Sequence, residues 1–253
     1  MLPAEHLPIP KLPETNVSSL PSAFLQYPKG VVVKFRPFTF GDISKFNNSN
    51  MTDRQYYDFV LEGIDVSGMD KYDLTYYDTV YLALLRKRNS LGTTKVSMMS
   101  VCKHCETINT RTLDTSIFNE FEDLEQDDMP LVVSLNSGDL EFKFITIKDW
   151  LELNEEDKLK DPIAVYAKSI VNKDFQEAYD TVYNSIGEDM STLTGVDQML
   201  YHGLKLVNVV CDKCLGNYNT SLSPDDISSV IRPFRDETEP SGCKIRFGKK
   251  KDS

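Results

Sequence analysis

Residues 33–47 have the sequence VKFRPFTFGDISKFN, and residues 140–154 have the sequence LEFKFITIKDWLELN. At a constant offset of 107 positions (140 minus 33), the two stretches keep the same chemical type at nearly every position. The aligned pairs include Phe35 with Phe142, Arg36 with Lys143, Thr39 with Thr146, Asp42 with Asp149, and Asn47 with Asn154. This correspondence predicts that the chain consists of two pseudo-repeated halves with the same local structure.

Each copy predicts a strand that leads into a helix. Strands are expected over residues 31–38 and 140–145, each preceded by a turn sequence, YPKG or NSGD. Each strand runs into Thr-x-x-Asp, in which the threonine oxygen accepts from a helical amide and the carboxylate lies near the positive helix end. Further helices are expected in residues 51–64, 74–89, 161–171, 175–186 and 194–204. The predicted fold class is therefore α+β.

Two Cys-x-x-Cys pairs fall at equivalent places in the two copies. Cys102 and Cys105 lie opposite Cys211 and Cys214 at an offset of 109 positions (211 minus 102). Strand-forming sequence flanks both pairs, which predicts that each pair is at the tip of a hairpin. A tight turn points both sulfurs to one side and frees amides to donate to them. Two such hairpins placed face to face would bind one structural zinc ion through four thiolates and would join the two halves.

Two other interpretations of the cysteines remain open. A redox pair would need a helix N-terminus after its first cysteine, which strand-forming sequence does not provide. The pairs would otherwise be ordinary thiols that bind no metal. His104 lies between Cys102 and Cys105, and we expect it to be a solvated residue because four cysteines already complete a tetrahedral site. Cys243 is unpaired and is not expected to bind metal.

Composition restricts the classes of function. The 253 residues include 39 acidic and 28 basic side chains, for a formal net charge of -11, which disfavours electrostatic capture of nucleic acid. No apolar run is long enough for a membrane span, and the N-terminal sequence lacks the features of a signal peptide. A soluble protein of a reducing cytosol is therefore expected. The acidic runs at residues 120–128 and 154–161 are interpreted as solvated faces rather than cation sites.

Motifs for catalysis are missing from the sequence. It contains no Gly-rich phosphate loop, no G-x-S-x-G and no H-E-x-x-H, and only three histidines are present. We therefore expect a protein that is not an enzyme and that acts by binding or assembly.

Both ends of the chain are predicted to lie outside the two halves. The first 22 residues hold five prolines and are expected to form an extended arm (residues 1–22) rather than core. The predicted halves, each with a zinc-binding hairpin, are residues 23–125 and 126–232, and short helices are expected at 115–121 and 224–231. Residues 233–253 are expected to form a flexible charged tail.

Two short stretches resemble sequences of a known family: LPIPKLP (residues 7–13) and KFRPF (residues 34–38). Predicted helices and a Cys-x-x-Cys hairpin follow them. These features resemble the baseplate hub proteins of T4-like contractile-tailed bacteriophages, and the resemblance extends over most of residues 8–232. The resemblance implies a role in building the central hub of the tail baseplate, as a hub subunit or as a chaperone-like assembly factor. It implies other hub or tape-measure proteins, or a second copy of the chain, as partners, and neither nucleic acid nor membrane. The expected location is the host cytoplasm during assembly or the tail baseplate of the virion, and no catalytic residues are implied.

The alternative interpretation is a zinc-ribbon-type binding module of a nucleic-acid-associated complex. Such a module should cluster cations around its hairpins. The chain offers Lys103, Arg111, Lys205 and Lys213 there, against a strongly acidic background.

Overall fold

The computed structural model describes residues 13–47, 52–91, 95–114, 129–156, 158, 161–200 and 207–220, and within these ranges the protein is a mixture of helices and small antiparallel sheets. The first half contains β1 (Thr15–Asn16), β2 (Val32–Phe35), α1 (Phe40–Asn47), α2 (Asp53–Glu62), β3 (Ile64–Ser67), a 3-10 turn (Lys71–Asp73), α3 (Tyr76–Leu91), β4 (Lys95–Val101) and β5 (Ile108–Asp114). The second half contains β6 (Leu131–Leu135), β7 (Gly138–Phe142), α4 (Ile147–Glu155), α5 (Pro162–Ser169), α6 (Phe175–Tyr183), α7 (Glu188–Leu200), β8 (Val207–Val210) and β9 (Asn217–Thr220).

The strands form one three-stranded sheet and three two-stranded hairpins. The three-stranded sheet has the order β1-β2-β3, and β4-β5, β6-β7 and β8-β9 pair separately. The short strand β3 was not predicted, because four residues give too little alternation to identify a strand. The predicted short helices at 115–121 and 224–231 lie outside the described residues.

Both Thr-x-x-Asp motifs begin helices, as predicted. Thr146 is the N-cap of α4, and its side chain accepts from the Asp149 amide while the Asp149 side chain accepts from the Thr146 amide. Thr39 and Asp42 make the same reciprocal bonds at 2.8 and 3.0 Å. Two amides at each helix start are thus satisfied by side chains.

The aligned cations and strands also make matching contacts. Arg36 binds the Asp42 carboxylate at 2.6 Å, and Lys143 binds the Asp149 carboxylate at 2.6 Å. The Arg36 amide donates to the Gly63 carbonyl at 2.9 Å, as the Lys143 amide does to the Ser169 carbonyl at 2.8 Å. Correspondence at the offset of 107 therefore extends from residue type to hydrogen bonding.

The two halves do not have separate cores. The larger apolar core combines β2, α2 and α3 of the first half with Ile147 and Leu151 of α4. The β8-β9 hairpin adds Val209, Cys211 and Tyr218 to this larger core, whereas β6, β7, α5, α6 and α7 surround a smaller core of their own. The second half therefore contributes its first helix and its last hairpin to the core of the first half.

Backbone contacts join the halves at the start of α4. The Tyr76 amide donates to the Ile145 carbonyl and the Ile147 amide donates to the Leu74 carbonyl, both at 2.9 Å. Beside this ladder the rings of Tyr76 and Trp150 lie 4.6 Å apart. These contacts place α4 against α3.

The predicted arm over residues 1–22 is buried at its end, at residues 20–22, whereas residues 13–19 are mostly exposed and include β1. Leu20 is only 2 % exposed and Ser22 is fully buried. The Ser22 amide and hydroxyl both donate to Asp78 of α3, at 2.8 and 2.5 Å. A contact between residues 56 positions apart leaves no local sequence pattern. Proline content alone therefore placed the end of the arm too far along the chain. Residues 1–12 lie outside the described residues.

No helix in the described ranges is both long enough and apolar enough to span a membrane.

Asp42 should make the fold sensitive to acid. Burial opposes its charge, but hydrogen bonds from Arg36 and Thr39 outweigh burial and lower the pKa from 3.8 to about 2. Its stabilising contribution is thus present above pH 3.8 and is lost as the pH falls towards 2. We expect Asp42→Asn to lower the free energy of unfolding at pH 7 by about 1–3 kcal/mol. Urea unfolding at pH 7 and pH 2.5 measures this, and the variant should lose less stability than the wild type on acidification.

The matched control is Asp65→Asn, which removes an exposed carboxylate on β3. It should change the free energy of unfolding by less than about 0.5 kcal/mol. Equal effects of the two substitutions would contradict the role given to Asp42.

Candidate metal centre

The cysteine pairs are located in the turns of two hairpins with the same backbone bonding. In the β4-β5 hairpin the Cys102 amide donates to the Thr107 carbonyl, and the Glu106 amide donates to the Cys102 carbonyl, both at 2.9 Å. In the β8-β9 hairpin the Cys211 amide donates to the Gly216 carbonyl and the Leu215 amide donates to the Cys211 carbonyl, both at 3.0 Å. The predicted hairpin tips are therefore confirmed.

Each turn includes one residue in the left-handed region. Glu106 has φ of 57° and Leu215 has φ of 60°, and the two positions are 109 apart (215 minus 106). Residues other than glycine rarely adopt this conformation. Its occurrence at equivalent positions shows that each turn is held by its surroundings rather than by the local preference of the residue.

The two turns bring all four cysteine sulfurs together. The Cys102 and Cys214 sulfurs are 3.6 Å apart, as are those of Cys105 and Cys211, and all four lie within 4.8 Å of one another. A tetrahedron with zinc-sulfur bonds of about 2.3 Å has sulfur-sulfur edges of about 3.8 Å. Separations of 3.6 Å are far longer than the roughly 2.05 Å of a disulfide bond. The set therefore fits one ion bound by four thiolates.

Backbone amides are aimed at the sulfurs. The His104 amide lies 3.4 Å from the Cys102 sulfur, and the Lys213 amide lies 3.4 Å from the Cys211 sulfur. Such amides stabilise a thiolate and orient it towards a metal. A strand follows each turn, so neither pair has the helix N-terminus that a redox pair would need.

The sulfurs influence one another's ionisation. Amides of Cys214 and Lys213 lower the pKa of Cys211 to about 6 despite desolvation. The Gly216 amide lowers the pKa of Cys214, but desolvation and the neighbouring sulfurs outweigh it and raise that pKa to about 12. Four thiolates at such distances repel, and a divalent cation between them would supply the compensating charge. The donor set thus has the chemistry of a site for a soft or borderline cation.

A buried hydrogen-bond network supports the sulfurs on one side. The Asn109 side-chain amide donates to the Tyr218 hydroxyl at 3.0 Å and lies 3.7 Å from the Cys211 sulfur, and its oxygen accepts from the Asp212 amide at 3.0 Å. The Tyr218 hydroxyl is also 2.8 Å from the Ser100 hydroxyl. Sequence reasoning missed this network, although Asn109 and Tyr218 each lie four positions after the second cysteine of their pair.

Arg111 joins the hairpins at their surface. Its guanidinium binds both Asp212 carboxylate oxygens at 2.8 and 2.5 Å and donates to the Val210 carbonyl at 2.7 Å. This bidentate geometry restricts how the two hairpins can rotate against each other.

His104 also bridges the two hairpins. It is exposed, and its ring reaches the Asn217 carbonyl at 3.1 Å. A Cβ at Gly216 would lie 2.7 Å from the His104 ring, so the glycine leaves room for it. The candidate metal ligands within the described residues are the four cysteines, without His104.

The comparisons with known proteins find one family. The model described as T4 bacteriophage base plate protein matches residues 14–199, which include the first cysteine pair and end before the second. No curated protein matches the chain, and no solved structure matches it. A match over more than half of the 253 residues shows the family. The chain therefore belongs to the T4 bacteriophage base plate protein family.

Proposed function

We propose that this protein acts, without catalysing a reaction, in assembly of the central hub of the phage tail baseplate. It would do so as a hub subunit or as a chaperone-like factor that binds hub or tape-measure proteins. The observation that carries the proposal is the family match over residues 14–199. The absence of catalytic motifs from the sequence supports a role in association rather than bond chemistry. Such a protein acts in the host cytoplasm during assembly, and as a hub subunit it would remain in the tail baseplate.

The two halves arose, in our proposal, from a tandem copy of one unit. Support comes from matching contacts, at an offset of 107 positions for the two capped helix starts and the two cation-carboxylate pairs and of 109 positions for the two cysteine turns. Unrelated segments would not be expected to share a strained backbone residue at the same place in each turn.

The ion held by Cys102, Cys105, Cys211 and Cys214 is, in this proposal, a single structural zinc ion. Four sulfurs within 4.8 Å support it, since four thiolates leave no open coordination position for substrate or water. Zinc would tie β4-β5 to β8-β9 across more than a hundred residues of chain and would couple folding to metal.

The nucleic-acid alternative receives less support from the surroundings of the cysteines. Arg111 is engaged by Asp212 rather than offered to a phosphate. Lys205 lies outside the described residues. Lys103 and Lys213 are exposed, but these lysines on a chain of net charge -11 give little support to the basic face that such binding needs.

Removal of one ligand should release the metal. We expect Cys102→Ser to lower bound zinc from about one ion per chain to below about one third, because a three-thiolate site binds less tightly. Without chelator, this variant should unfold at about the temperature at which the wild type unfolds in the presence of chelator. Elemental analysis of the purified protein and thermal denaturation with and without chelator measure both effects.

Cys243→Ser is the matched control, because Cys243 is the fifth cysteine and belongs to neither pair. It should leave zinc content and thermal stability unchanged. Equal zinc in the two variants would show that the ligand assignment is wrong, and a wild-type protein without zinc would overturn the cofactor itself.

Partner capture tests the assembly role. Immobilised full-length protein should retain baseplate hub or tape-measure proteins from phage-infected cells, and these are identified by mass spectrometry. Binding to duplex DNA, measured by fluorescence anisotropy at low and moderate salt, should be absent. The nucleic-acid alternative would be favoured by the reverse outcome, salt-dependent DNA binding without hub proteins.

Two N-terminal deletions distinguish the residues proposed to bind a partner from the residues that stabilise the fold. Deletion of residues 2–12 should leave the thermal transition unchanged but prevent hub assembly, scored by complementation of a phage that lacks the protein. Deletion of residues 2–22 should destabilise the body, because it removes Leu20 and the Ser22 contacts to Asp78. Normal assembly with the shorter deletion would defeat the proposed role of this segment.

A further inference from the structure

Three exposed apolar side chains lie between the last residue of α6 and the first turn of α7. Tyr183, Ile186 and Met190 are 65 %, 80 % and 60 % exposed, and they lie within eight positions of the chain. The Tyr183 ring stacks on that of Tyr179 at 6.2 Å, which holds it in place. We call these three residues the α6-α7 tip. Exposed apolar side chains in one place are typical of a docking surface.

The surroundings of this tip are acidic. Residues 174–200 hold six carboxylates and no lysine, arginine or histidine. Four of the carboxylates belong to exposed residues: Asp180 and Glu188 lie within three positions of tip residues, and Asp174 and Glu177 lie at the other end of α6. One of these is paired with a cation just outside the range, Glu177 with Lys173. The tip should therefore favour an occupant that combines apolar side chains with positive charge.

The same chain contains a segment of that chemistry. Residues 244–251 read KIRFGKKK and hold five cations, with Ile245 and Phe247 among them. Apart from this segment the sequence is strongly acidic, so no other stretch matches the tip as well in charge. The segment lies outside the described residues.

We propose that residues 244–251 dock on the α6-α7 tip, with Phe247 and Ile245 against the apolar side chains and the cations facing the carboxylates. The 23 residues from 221 to 243 extend to roughly 75 Å, so the segment can reach the tip of its own chain, which is the source that we propose. Exposed ion pairs contribute little each, so docking is weak and is reduced by salt. The proposal rests on this charge match and does not depend on the hub assembly role or on zinc.

A photocrosslinker in the basic segment tests the contact in the full-length protein. Phe247→p-benzoylphenylalanine places a group that reacts preferentially with methionine, and irradiation followed by peptide mass spectrometry maps the adducts. We expect adducts on residues 183–190, chiefly on Met190. Met99 on the outer face of β4-β5 is an internal reference, since it is 57 % exposed against 60 % for Met190.

Charge reversal supplies the matched control. Asp180→Lys with Glu188→Lys should reduce the Met190 adduct about fivefold or more, because two attractive pairs become repulsive. Asp65→Lys with Asp73→Lys makes the same change in net charge on exposed residues elsewhere and should leave the adduct unchanged. Circular dichroism of all variants checks that they are folded.

Three results would overturn the proposal: equal labelling of Met99 and Met190, a Met190 adduct that survives reversal of Asp180 and Glu188, or adducts that join two copies of the chain. A mixture of unlabelled and nitrogen-15-labelled protein tests the last of these. We expect adducts of uniform isotope composition, because the segment docks on its own chain, and adducts of mixed composition would assign it to a second copy.

Discussion

The meeting of four cysteine sulfurs is the constraint on which the rest of the architecture depends. Two-stranded hairpins are marginally stable in water by themselves, and both β4-β5 and β8-β9 are such hairpins. Each is held by its partner through the sulfurs, the buried Asn109-Tyr218 bond and the Arg111-Asp212 pair. A link between residues about a hundred positions apart removes entropy from the unfolded chain, worth on the order of 4–5 kcal/mol by analogy with a disulfide loop of that length. A zinc ion at the centre would therefore stabilise far more than its immediate surroundings.

The sequence was most informative where local chemistry repeats. Thr-x-x-Asp predicted both helix starts because one hydroxyl and one carboxylate, three residues apart, satisfy the same amides wherever they occur. The two cysteine pairs predicted two hairpins, and their equivalent places in the two copies predicted that all four sulfurs share one site. The family was likewise indicated by short motifs and is shown by the match over residues 14–199.

The sequence was least informative about contacts between distant side chains. Asp78 is fully buried because Ser22, at the end of the predicted arm, and Tyr27, in the turn before β2, donate to its carboxylate. The burial of Asn109 and Tyr218 is likewise explained only by the contact between the two hairpins, which allows these side chains to hydrogen-bond to each other. In both cases a polar side chain is buried because a partner more than fifty positions away satisfies it, and no periodic pattern records such a partner. The division of the core had the same cause, since nothing in α4 itself shows that Ile147 and Leu151 pack on the first half.

Connections at several places between the halves support the proposal that the molecule acts as a rigid holder. They include the backbone ladder that joins Leu74 and Tyr76 to residues 145–147, the Gln26-Phe144 hydrogen bonds and the cysteine cluster. A single connection would act as a hinge, whereas two connections at different places prevent rotation about either one. Binding energy gained on a partner then need not be spent on ordering the body. A scaffold of this kind suits a protein whose task is to present fixed surfaces during assembly.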